Sequence, residues 1–403
     1  MKKIVIWLLT TILILTSCTP SINNEDEVVQ NEDETQQQQN SIVSSHQLSD
    51  ENYRTILPYR PSASRGVTTN QLGNRVDIDE LETGLRRLSK EYFDPEQYFF
   101  EEGQYLTSDM LYNWLDTYPT DEQLKTLEQR VEDDTDSFSE ADLNARKQAL
   151  NPPLDEDEAT KEDYENNPKY VSHILEQNFL KRNEDDTVEL VGASIGIALK
   201  STFTYEVDGN TYHRDISQSE MLEKGKEIAQ TVLERVRNIE ELSDVPIMIA
   251  LYREEDQNSP VPGNYVAKTG VEGGQASIGE WETVDEENVL FPSDEGEEKY
   301  YDTQQLVQNF GSRIEEYFPN YVGVIGKGFY KDEELQKLTL EIPLEFYGKG
   351  EVIGFTQYTY GLVEEMFQDY YDLEVRITSN EKMESFIYWG AGDNEGTVHI
   401  YDS

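Results

Sequence analysis

The chain has 403 residues and a formal net charge of −49, with 82 Asp and Glu against 33 Lys and Arg. So acidic a chain repels phosphate and excludes a nucleic-acid binder, while 36% hydrophobic residues suffice for sizeable cores and exclude wholesale disorder. A single cysteine excludes an intramolecular disulfide and every multi-cysteine metal site, and only four histidines argue against a His-rich centre, so no cofactor or metal is implied.

Lys2 and Lys3 form a positive start, and Ile4 to Thr16 carries no charge. As a helix this run spans about 20 Å, short of a hydrocarbon core of about 30 Å, and it reads as the apolar region of a signal peptide. Leu15-Thr16-Ser17-Cys18 follows directly and resembles the bacterial lipobox. In such signals small residues admit the peptidase, the cut falls before the cysteine, and the thiol takes a diacylglycerol. The alternative is an ordinary secreted protein with a stray cysteine, but the sole Cys of the chain stands at the lipobox position. The expectation is a signal peptide over 1–17, cleavage between Ser17 and Cys18, and a protein held by the lipid on Cys18 at the extracellular face of the cell membrane. Loss of Lys2 and Lys3 leaves a mature charge of −51, so that lipid, rather than charge, must supply attachment.

Residues 18–51 repeat Asn-Glu-Asp-Glu at 24–27 and 31–34, continue into four glutamines at 36–39, and lack aromatic residues. They read as a disordered acidic tether. Residues 52–185 read as mainly helical. Asp77 is the expected cap of a helix to about Phe93, with Ile78, Leu81, Leu85 and Leu88 as its apolar stripe. Ser108 should cap a short helix holding Trp114, and Thr120 precedes another over 122–131. Glu132 to Glu140 and Asp155 to Asn167 read as acidic loops, and Tyr170 to Leu180 as a further helix.

From 186 to 403 the pattern is mixed α+β. Thr187 to Tyr205 reads as one long or two abutting strands, and Asp208-Gly209 turns the chain into a hairpin partner at Tyr212 to Ile216. A helix over about 218–239 leads to an apolar strand, Val245 to Tyr252, and 263–279 reads as strand plus loop. The last third offers strands at 322–330 and 338–346, a helix near 357–370, and strands at 373–378, 385–389 and 398–401. The order β-β-α-β occurring twice suggests a duplicated unit; coincidence in a long mixed chain is the alternative. The fold class is therefore α+β, with a helical N-terminal part and a mixed C-terminal part.

Signals for catalysis are weak. Gly192-Ala193-Ser194-Ile195-Gly196 fits G-x-S-x-G, but residues 197–205 read as strand where a nucleophile elbow requires a helix. His213 and His399 sit in strand-like surroundings. Asp77/Asp79 or Glu254/Glu255 could be offered as glycosidase acids, yet among 82 acidic residues any such choice is arbitrary. Most of the 25 tyrosines are explained as strand and core residues, although some could stack on sugars.

The lipobox, the segment Tyr53-Arg54-Thr55-Ile56-Leu57-Pro58-Tyr59, the segment Ser194-Ile195-Gly196-Ile197-Ala198-Leu199 and the chain length together resemble the CamS family of Gram-positive sex-pheromone-precursor lipoproteins. The resemblance implies that the signal-peptide fragment before the lipidated cysteine, Thr11, Ile12, Leu13, Ile14, Leu15, Thr16 and Ser17, is released as a pheromone. That heptapeptide is uncharged and aliphatic like the family's type, with threonine where alanine is usual and Leu13 where an aromatic is usual. The resemblance supplies no catalytic residues. The expectation is a non-enzymatic surface lipoprotein whose mature domain is a binding or structural module of open ligand. An extracellular wall hydrolase or esterase and a solute-binding lipoprotein are the alternatives.

Overall fold

The computed structural model describes residues 52–67, 72, 74–133, 137–183, 187–318, 321–346, 348–380 and 382–402, with the backbone of two strands, β1 (Glu27–Gln30) and β2 (Asn40–Val43). The signal peptide with the heptapeptide, Cys18, and all of 18–51 except those two strands lie outside the described residues. Two compact units follow from the contacts. One comprises 1–60, 93–101 and 179–191; the other comprises 61–92, 102–178 and 192–403.

In the first unit β1 and β2 are antiparallel, β2 and β3 (Arg54–Leu57) are antiparallel, and β3 lies parallel to β4 (Phe99–Glu102). Its apolar groups are aromatic-rich. Phe93 stacks on Phe179 with centroids 4.4 Å apart and Tyr53 packs on the same ring at 5.1 Å, while Ile56, Phe99, Leu180 and Val188 form a buried cluster.

The second unit opens with α1 (Arg75–Ser89), which buries the expected stripe of Ile78, Leu81, Leu85 and Leu88. Its cap is Asn74, whose Oδ1 accepts from the Val76 amide at 3.1 Å, and not Asp77, which lies buried in the first turn. Thr107, one residue before the expected Ser108, caps α2 (Ser108–Leu115), and Thr120 accepts the Gln123 amide at the start of α3 (Asp121–Asp133). Two short helices, α4 (Glu140–Arg146) and α5 (Lys161–Asn166), stand within or beside the expected acidic loops. Each starts at a reciprocal capping box, Ser139 with Asp142 and Thr160 with Asp163, a spacing visible in the sequence.

The helix expected over Tyr170 to Leu180 is instead a strand, β5 (Val171–Arg182). Every residue from Val171 to Leu180 is buried. A strand covered on both faces shows no period-two alternation, so only the misleading spacing of Ile174, Leu175 and Phe179 remained. Its buried Glu176 takes the place of a loop's missing partners, accepting the amides of Gln104, Tyr105 and Leu106 at 3.1, 3.1 and 2.6 Å.

β6 (Thr187–Leu199) and β7 (Thr202–Val207) are two abutting strands. Asp208 and Gly209, at φ 51° and 74°, turn β7 into β8 (Asn210–Asp215), as expected. Ser217 caps α6 (Gln218–Val236), which leads to β9 (Ile247–Arg253), β10 (Asn264–Val271) and the short β11 (Glu282–Thr283). In this unit the strands lie in the order β5-β6-β9-β10-β11, with β6 parallel to β9 and β9 antiparallel to β10. Helix α6 packs on one face, where Gly225 lets Leu199 and Leu251 approach, and α1 packs on the other, where Leu81 and Leu85 meet Gly196.

The C-terminal sheet has the order β12 (Glu286–Phe291), β13 (Ile325–Lys331), β14 (Glu334–Pro343), β15 (Asp372–Ser379), β16 (Lys382–Trp389), β17 (Thr397–Ile400). Helices α7 (Asp294–Lys299) and α8 (Tyr301–Glu315), absent from the sequence reading, connect β12 to β13. Helix α9 (Lys349–Met366) begins eight residues before Gln357, because Gly350 and Gly354 in its first turns obscure the helical signal. Val289, Phe310, Leu340, Phe355 and Val375 are central to a core of this sheet and its helices.

A β-β-α-β order does recur in the topology, but its first copy differs from the one expected: β8 pairs with β7 in a separate two-stranded sheet, and β5 and β6 supply the first two strands. β5-β6-α6-β9-β10 and β13-β14-α9-β15-β16 share element order and strand order, and in both the helix joins parallel neighbours while the next strand returns antiparallel. They differ at the first strand-to-helix junction, where β7 and β8 stand between β6 and α6 but only residues 344–348 stand between β14 and α9. Arg87 of α1 bridges to the C-terminal sheet, binding both oxygens of the buried Glu286 at 3.0 and 2.8 Å and lying 4.4 Å over the Phe329 ring.

Candidate functional site

Parallel strands joined by a helix leave a crevice beyond their carboxyl ends, where open α/β sheets bind ligands. Here β6 ends at Leu199 and β9 at Arg253, and a cleft of about 760 Å³ opens beside the next residues of each, Lys200 and Glu254. The start of α1 supplies Asn74 and Asp77, the β7–β8 hairpin supplies a wall, and Asp256 to Asn258 complete the rim.

The wall is built in place by aromatic packing. Phe203 and Tyr205 alternate inward along β7, Tyr164 of α5 stacks on Tyr205 at 4.8 Å, and the cross-strand Tyr212 packs on Tyr205 at 5.7 Å. The Tyr205 hydroxyl donates to Glu165 at 2.5 Å, and Arg214 of β8 bonds Glu220 of α6 at 2.9 Å, so the hairpin is tied to both flanking helices.

The floor holds two buried carboxyl groups. Asp77 Oδ1 accepts from the Tyr252 hydroxyl at 2.7 Å, the Gly263 amide at 2.7 Å and the Glu255 amide at 3.5 Å, while Oδ2 has no partner among the described residues. Burial raises the Asp77 pKa against those hydrogen bonds. Glu254 accepts from the Ser172 hydroxyl and lies 3.6 Å from the Lys200 ammonium. Burial pushes its carboxyl up to about 7, with Lys200 opposing the shift and the Asp77 charge adding to it. The second cation of the lining, Lys169, is paired with Glu156 at 2.7 Å.

The structure separates the residues of the G-x-S-x-G reading. Ser194 lies within β6 opposite Met248, fully buried, and its hydroxyl accepts from Ser89 at 2.7 Å. His213 is on β8 in the cleft wall, with Nδ1 2.9 Å from the Thr204 hydroxyl, and His399 is on β17 with its ring packed on Tyr401 at 4.6 Å. Strand geometry and the Ser89 bond leave Ser194 without the strained turn a nucleophile elbow needs. Of the acid pairs, Asp77, Glu254 and Glu255 come together in the cleft, whereas Asp79 is exposed and paired with Arg75 at 2.9 Å. His173, the remaining core histidine, is fully buried on β5, where burial pushes its imidazole down to about 3. Among the described residues no cluster of metal-ligating side chains occurs, and no helix is long and apolar enough to cross a membrane.

These features define an α+β protein with a repeated strand order and a polar cleft walled by the β7–β8 hairpin. The chain belongs to the CamS family: the family model described as CamS sex pheromone cAM373 precursor matches residues 59–395. Its fold is similar to a sex pheromone precursor from Lactobacillus salivarius subsp. salivarius UCC118, with a TM-score of 0.77 and 27% identity over 90% of this chain and 99% of that one. It is also similar to the C-terminal domain of the sex pheromone staph-cAM373 precursor from Staphylococcus aureus, with a TM-score of 0.68 and 27% identity over 83% and 99% of the two chains. A comparison with curated protein sequences finds no match. The resemblance to the CamS family is thus borne out, with Tyr59 and Ser194–Leu199 inside the matched residues.

Proposed function

We propose that this chain is a cell-surface lipoprotein precursor with two products: a heptapeptide, residues 11–17, released from the signal peptide, and a mature domain held by the lipid on Cys18 that acts as a non-enzymatic binding module. The family match over 59–395 carries the reading, and the position of the sole cysteine behind Leu15-Thr16-Ser17 supports the anchor. The burial of Ser194 within β6 argues against that serine as a nucleophile, and the cleft gives a binding module a place to act.

The anchor is tested with Cys18→Ala in the native host, which should yield unprocessed precursor or release the protein into the medium. Mature-sized Cys18→Ala protein still fixed to the membrane would refute it. For the peptide, synthetic Thr-Ile-Leu-Ile-Leu-Thr-Ser should induce conjugation in responding recipients; silence across a recipient panel that answers other pheromones of the family would remove the signalling role.

A further inference from the structure

We propose that the cleft beyond β6 and β9 is a binding site for a short neutral saccharide. The proposal rests on reading the mature domain as a binding module and names what that module takes.

The site's position is the first argument. Of the two topologically equivalent strand-helix-strand units, the first carries the β7–β8 hairpin between strand and helix, and this hairpin forms the cleft wall. The sheet does not need it, since the second unit forms the same strand order with a five-residue link at 344–348. The hairpin is nonetheless fixed by the Tyr164–Tyr205 stack and the Glu165 and Glu220 bonds, so it meets a ligand already ordered. A volume of about 760 Å³ is in the range of small-molecule sites.

Charge decides the ligand class. Lys169 and Lys200 are the cleft's ammonium groups; Lys169 is engaged by Glu156 at 2.7 Å, and Lys200 lies 3.6 Å from the Glu254 carboxyl. Asp77, Glu206, Glu255 and Asp256 add negative potential, which repels phosphates and acidic polymers. The groups that remain are hydrogen-bonding and uncharged or acceptor-only. Asp77 offers Oδ2 as an acceptor, Thr211 a hydroxyl and Gln257 an amide along the same lining. Sugar hydroxyls donate to carboxylates and accept from amides.

The test is isothermal titration calorimetry of the full chain with the trisaccharide of N-acetylglucosamine, beside spermidine and inorganic phosphate. Saturable binding of the trisaccharide is expected, weakened about tenfold in Gln257→Ala/Asn258→Ala and unchanged in Gln336→Ala on β14. The substituted side chains are exposed, so unchanged circular dichroism will accompany the loss. Spermidine or phosphate binding in place of the sugar, sensitive to the same double variant, overturns the saccharide and leaves the binding module standing. No heat from any of the three overturns the cleft as a site and the module with it. Reducing ends released during incubation would keep the saccharide and overturn the non-enzymatic reading.

Discussion

Substitution Glu254→Gln should make the protein more stable at alkaline pH and flatten its pH dependence. Glu254 is buried beside Asp77, Ser172 and Lys200, and its folded pKa is raised from 4.5 to about 7. The folded protein therefore holds this proton more tightly than the unfolded chain. The associated stability is complete below about pH 4.5 and is lost as pH rises through about 7. At about 1.4 kcal/mol for each tenfold in proton affinity, the loss is about 3 kcal/mol. Glutamine keeps an oxygen for the Ser172 hydroxyl and never ionises, and Lys200, partly exposed, regains water. Urea unfolding of both proteins from pH 5 to pH 8 isolates the effect, because the many other carboxylates cancel in the difference. The variant should gain on the parent by about 3 kcal/mol between those limits. A difference constant to within about 0.5 kcal/mol would refute the argument that this carboxyl is neutralised by burial.

Four further substitutions probe the scaffold. Glu176→Ala strands the amides of Gln104, Tyr105 and Leu106 without an acceptor and should cost about 3 kcal/mol or more in urea unfolding. Gly263→Ala would place a Cβ 1.9 Å from the Arg253 carbonyl oxygen, beside the amide that binds Asp77, and should cost about 3 kcal/mol, whereas Gly279→Ala, with open space around it, should stay within about 0.5 kcal/mol. Arg87→Ala leaves the buried Glu286 with no cation and should cost about 3–5 kcal/mol, with urea unfolding again the measure; an effect below 1 kcal/mol, which is about the value of an exposed pair, would refute the clamp.

Amphipathic elements were legible in the sequence because one face is wet. The stripes of α1 and α6 and the Asp208-Gly209 turn follow from periodicity and backbone chemistry alone. β5 was not legible, because a strand buried on both faces with Ser172, His173, Glu176, Gln177 and Asn178 inside it has neither alternation nor an apolar run. Asp77, Glu254 and Glu255 were visible as acids, but nothing in their spacing separates them from the other acidic residues. What sets them apart is the register that brings α1, β6 and β9 to one place, a property of three segments distant in sequence. For α1 a local clue exists: Asn74 satisfies the cap, which leaves Asp77 with no role at the helix end and a position on the buried stripe.

The added hairpin has a consequence for inheritance. A strand-to-helix junction that accepts either a five-residue link or a two-stranded insertion, with the sheet order unchanged, separates the part that builds the sheet from the part that walls the cleft. Descendants of one scaffold can then change the cleft wall by rewriting the exposed positions of residues 200–217 while the sheet core stays under the same packing constraint.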